Sequence, residues 1–169
     1  MPSDRRTLRE GLVVGLIGYA SVAVFYTVFD VLAARGPLHT VDVLGKAVFR
    51  GLRDPGVLLF PIEIDASAIF LYNVMHLVIA LCIGVIVTRL VAEAEQHPAR
   101  GRLVLLVLVA GFVFTVAAVG ILTMSIRPIL PWWSIVAANG LATLLAGWYL
   151  VRRRQVRWLT FTGLTTAPR

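Results

Sequence analysis

The chain has 169 residues, 59% of them hydrophobic and only 15% charged, with a mean hydropathy of +0.86. Soluble domains run near half apolar and a quarter charged, so this balance excludes an ordinary water-soluble domain and reads as a membrane protein. At that hydropathy the formal net charge of +7 points to anionic lipid headgroups as the partner and away from nucleic acid.

A helix needs about 20 predominantly apolar residues to cross a bilayer. The first such run, 12–34, follows the basic start Arg5, Arg6 and Arg9. It is longer than the core of a signal peptide, and Val31-Leu32-Ala33-Ala34 offers no clean cleavage site, so an uncleaved helix is expected. Gly11-x-x-x-Gly15, continued to Gly18, gives it a smooth face for close helix packing, within the chain at least as readily as in a homodimer. Asp30 is the only acid inside a span, and an interfacial ion pair with Arg35 or Arg127 is the expectation for it.

From Arg35 to Asp65 the chain is more polar. Thr40 is placed to cap a helix over about 41–53, with Asp42 in its first turn. Val41, Leu44, Val48 and Leu52 fall on one face of it, and Asp42, Lys46, Arg50 and Arg53 largely on another. Such a pattern suits an amphipathic helix on the membrane surface or over the mouth of a bundle. Asp54-Pro55-Gly56 then turns the chain into a short apolar return, 57–64, broken by Pro61. His39, Asp42, Glu63 and Asp65 carry ligand atoms suited to a divalent ion, but their spacing specifies no geometry and no metal site is assigned.

The second span covers 66–88 and holds Tyr72, Asn73 and His76, with the lone Cys82 as a packing residue. The third covers 103–126 with Thr115 inside it, and the fourth covers about 131–151 with Asn139. Ala138, Ala142 and Ala146 recur at spacing four on the fourth span. Trp132 and Trp133 open that span while Trp148 and Tyr149 close it, at the two levels where amphipathic rings favour headgroups. Arg152, Arg153, Arg154 and Arg157 follow in a basic tail, 152–169, suited to anionic lipid. The short links at 89–102 and 127–130 make the last three spans antiparallel neighbours.

Orientation follows from charge, because Lys and Arg are retained on the cytoplasmic side. With the N-terminus inside, eleven of the sixteen basic residues fall inside, and the net charge is +7 inside and zero outside. Both termini are therefore expected in the cytoplasm.

At 1.5 Å per residue, His76, Ser21, Asn139 and Thr115 lie about 12–18 Å from a helix end, near the middle of a bilayer core. Every span thus brings a polar group to similar depth, and Tyr72 and Asn73 precede His76 by one turn. The simplest expectation is a structural hydrogen-bond layer, with neutral His76 bonded to Asn139 or Thr115. Haem ligation by His76 is the cofactor alternative, and needs a second histidine from another subunit or protein. No nucleotide fingerprint, HExxH, CxxC or GxSxG occurs, and no catalytic constellation is apparent.

The segments Gly36-Pro37-Leu38-His39-Thr40 with Leu44-Gly45, Tyr72-Asn73-Val74-Met75-His76, and Ala138-Asn139-Gly140 resemble a group of small bacterial inner-membrane proteins with four predicted spans and no assigned reaction. The resemblance implies that topology and a bacterial setting, and carries over no functional residue. The expected protein is an all-α, four-helix transmembrane bundle forming one membrane domain. Its expected role is a non-enzymatic accessory, structural or assembly subunit in the inner membrane, binding other membrane components. A small oligomeric transporter or channel, and a haem- or quinone-binding protein using His76, are the alternatives.

Overall fold

The computed structural model describes residues 2–52, 54 and 63–154. The turn at 54–56 and the apolar return to Ile64 fall mostly outside the described residues, as do Arg53, Arg157 and the tail from 155. Within the described residues the chain is all-helical: α1 (Pro2–Leu32), α2 (His39–Phe49), α3 (Ala66–Gln96), α4 (Gly101–Leu122) and α5 (Trp132–Arg154), with 3-10 turns at Pro98–Arg100 and Met124–Ile126. Four of these, α1, α3, α4 and α5, are long and apolar enough to cross a membrane.

The helix ends follow local chemistry more than hydropathy. α1 and α3 run well past their apolar stretches into charged sequence, because no glycine or proline stops them there. α3 ends at His97, whose φ of −128° and ψ of 77° are the extended values that Pro98 imposes on the residue before it. Its other end is capped by Asp65, whose carboxylate accepts the Ala68 amide at 2.9 Å. α4 stops at Leu122, short of 126, as Thr123 Oγ1 turns back to the Val119 carbonyl at 2.8 Å and the chain tightens into the second 3-10 turn.

α1 and α3 make the closest crossing. A Cβ on Gly11 would stand 2.7 Å from the Val85 Cα, and one on Gly15 would stand 2.6 Å from the Leu81 Cα. On Gly84 it would run into the backbone of Gly11 and Gly15. Small residues allow this approach, and in a membrane close van der Waals packing is what holds helices together. The glycine face of α1 is therefore used within the chain, while Gly18 looks onto open space. α5 packs on α1 through a face carrying Ser134, Ile135 and Ala138, and Leu150 joins Val14 and Val91 nearer the termini. α4 packs through Val104 and Leu108 and leaves most of its length exposed.

The two expected faces of α2 are met only in part: Leu44 is buried and Arg50 exposed, but Asp42 and Lys46 are buried as well. Asp42, Val43, Leu44, Gly45, Lys46 and Ala47 are buried, whereas Val48, Phe49 and Leu52 are exposed. Val43, Leu44 and Ala47 share a core with Ile126, Ile129, Leu130 and Ile135, and Gly45 rests on the Ala68 backbone. The charged residues go inward because they find partners there: Lys46 Nζ pairs with Asp42 Oδ2 at 2.6 Å and also donates to the Glu63 carbonyl. A helical wheel records hydrophobicity but not pairing, so it does not foresee that Asp42 and Lys46 go inward together. The helix is also shorter than 41–53, since Gly51, at φ 67°, closes it after Phe49.

Candidate functional site

The crossing of α1 and α3 sets the surroundings of His76. Tyr19 stands one turn beyond Gly15 on the same α1 face, which brings it against Asn73 and His76 of α3. Its hydroxyl donates to Asn73 Oδ1 at 2.8 Å, and Asn73 Nδ2 donates to the Ile69 carbonyl at 2.9 Å. The His76 ring lies close to two phenol rings, Tyr19 at 5.2 Å between centroids and Tyr72 at 6.0 Å, both tilted to it. Tyr19 was not among the sequence candidates. The signal for it was its place four residues after Gly15, continuing the packing stripe that Gly11 and Gly15 begin.

The other expected members of the layer do not join this cluster. Ser21 Oγ donates to the Ile17 carbonyl at 2.6 Å, Thr115 Oγ1 to Gly111 at 2.9 Å, and Asn139 Nδ2 to Ile135 at 2.8 Å. Each bond closes onto the residue's own helix, the back-bonding open to such side chains at any depth. Equal depth therefore did not mean contact. The group that does assemble, Tyr19, Tyr72, Asn73 and His76, sets an imidazole beside two phenol rings. That arrangement can stack against a planar molecule and exchange one hydrogen bond with it.

At the end opposite the termini, α2 is tied down by buried acids. Asp30, 1% exposed, accepts the Thr40 amide at 2.7 Å and the Thr40 hydroxyl at 2.6 Å. It thus serves the first turn of α2 from another helix, in place of the expected ion pair with Arg35 or Arg127. Thr40 is inside that turn and not its cap; Leu38 precedes the helix without a side-chain cap. Arg35 instead donates to the Ile129 carbonyl at 3.0 Å. Asp42 Oδ1 accepts the Asp65 amide at 2.9 Å, and Asp65 binds Arg50 at 2.9 Å. The hydrogen bond from Arg50, with those from Ser67 and the Ala68 amide, holds the Asp65 carboxyl well below the usual carboxylate range. These acids are engaged by the protein's own donors, and no group of three or more metal-ligating side chains occurs among the described residues.

His39 opens α2, and burial pushes its imidazole below the ordinary histidine value. Asp30 and Asp42 oppose that shift, while Arg35 and Lys46 add to it. A histidine depressed in the folded state leaves stability intact above its unfolded value and erodes it as pH falls through that value. Thermal unfolding in detergent should therefore show a falling midpoint from about pH 7.5 to about pH 5, less so in His39→Gln.

At the terminal end, Arg154 gathers three helices. Its guanidinium binds Glu10 of α1 at 2.8 Å, Glu95 of α3 at 2.7 Å and the Thr7 hydroxyl at 3.3 Å. Arg6 adds a second bond to Glu10 at 3.0 Å. Only 9% of the Arg154 side chain is exposed, so this residue is turned inward and away from lipid headgroups. Arg152 lies over the Trp148 ring at 4.2 Å and Arg153 is exposed. The chain matches no protein-family model, no curated protein and no solved structure.

Proposed function

We propose that the protein is a non-enzymatic accessory subunit of the bacterial inner membrane, a four-helix bundle with cytoplasmic termini that binds other membrane components. α2 would then sit at the outer surface, against the 126–130 turns. The observation that carries this reading is α4. It is the most apolar of the four long helices, yet a smaller share of it is buried within the protein than of any of the others. Ion pairs join α1, α3 and α5 at one end, and α2 to the start of α3 at the other. α4 is left with a long free flank that includes Phe114, 73% exposed, and Gly111, which has open space around it. Large side chains beside a small residue make a surface that another helix can pack against.

A photo-crosslinking residue at Phe114, introduced into protein made at native levels, should trap a second membrane protein. A solitary monomer in mild detergent, with no adduct, would overturn the reading. The setting of His76 supports a second one, a quinone- or haem-binding protein, because the ring lies near two tyrosines and no described residue hydrogen-bonds it. The same preparation decides it: no Soret band and no extractable quinone would end it.

A further inference from the structure

Among the described cations at the end opposite the termini, Lys46 and Arg50 bind carboxylates and Arg35 donates to the Ile129 carbonyl. Arg6, Arg50, Arg100 and Arg154 each bind a carboxylate, but Arg127 is exposed and pairs with no described residue. It overlooks a groove of about 310 Å³ between α4 and α5, a volume at the lower end of the range for small-ligand sites. The groove exists because α4 contributes Ala117 and Gly120 where its neighbours carry larger side chains, and a Cβ on Gly120 would meet nothing within 4 Å. Ile121 and Val136 make its walls apolar, and Trp132, 64% exposed, lines it together with Arg127.

The geometry points to a site for one anionic phospholipid, with an acyl chain in this groove and the phosphate on Arg127. A guanidinium matches phosphate oxygens with paired donors, and an indole favours the level of the headgroups. Arg127 is the single charge among lining residues that are otherwise apolar or aromatic, which matches the polarity of a lipid molecule. The groove lies on the α5 side of α4 through Val116, Ala117 and Gly120, and it borders the α4 docking surface at Ile121, which is seven residues from Phe114 and shares its side of the helix.

The test uses the full chain in mild detergent, incubated with phosphatidylglycerol and phosphatidylcholine of identical acyl chains and examined by native mass spectrometry. One phosphatidylglycerol should be retained over phosphatidylcholine by roughly tenfold, the scale of a charge-assisted hydrogen bond. Arg127→Gln should abolish the headgroup preference while a lipid is still held. Gly120→Leu should fill the hollow and reduce retention of both lipids. Both positions are open, so each variant is expected to keep the wild-type thermal midpoint, measured in parallel. Equal retention of the two lipids by the wild type would overturn the site. So would an undiminished preference in Arg127→Gln, and loss of that preference only in Arg152→Gln/Arg153→Gln would place the headgroup at the other end.

Discussion

Gly84→Leu is expected to produce the largest loss of stability of any single substitution in the α1–α3 pair. Inserting bulk into a packed core costs about 1–3 kcal/mol when side chains can shift aside. Here the obstruction is backbone, the Gly15 amide and the Gly11 carbonyl, which no rotamer change can move. The helices must separate, so a cost of about 3 kcal/mol or more is expected. Denaturation by sodium dodecyl sulfate, followed by tryptophan fluorescence, measures it. Gly18→Leu is the control, because a Cβ there meets nothing within 4 Å and the change should cost less than about 0.5 kcal/mol. Equal effects at the two positions would mean that the crossing does not hold the helices together.

Asp42→Ala should be nearly as damaging, for an electrostatic reason. Asp42 is fully buried and Lys46 is 9% exposed. Removing the carboxylate strands the ammonium and also frees the Asp65 amide that Asp42 accepts. Breaking one side of a buried pair costs about 3–5 kcal/mol, mostly through the uncompensated charge left behind. Asp42→Leu/Lys46→Met removes both charges and should recover much of that loss in the same assay. A loss below about 0.5 kcal/mol for Asp42→Ala would show that water reaches the pair.

The two results bear on how much could be read in the sequence. Run length and hydropathy were enough for four membrane-length helices, and spacing four was enough to mark Gly11 and Gly15 as a packing face. Gly84 was invisible, since a lone glycine in an apolar run has no partner until the helices are placed. The same blindness put Asp42 and Lys46 on the solvent side of α2. Composition treats every charge as seeking water, whereas a charge beside an opposite charge four residues away can go inward with it. Asp30 was expected to find a guanidinium and found the start of a helix, because donors from backbone are not written in residue type. The mid-membrane layer failed to close for a related reason: depth counts residues along one helix and says nothing about which way a side chain turns.

The glycine crossing also has a timing consequence during synthesis. Gly15 and Gly84 are 69 residues apart, so at about 5–20 residues per second α1 emerges roughly 3–14 s before its partner. Throughout that interval its smooth face has only lipid, or the insertion machinery, to rest on. Arg154, which locks Glu10 to Glu95, arrives later still. Until the last residues of α5 are in place, Glu10 has only Arg6 of its own helix to answer its charge.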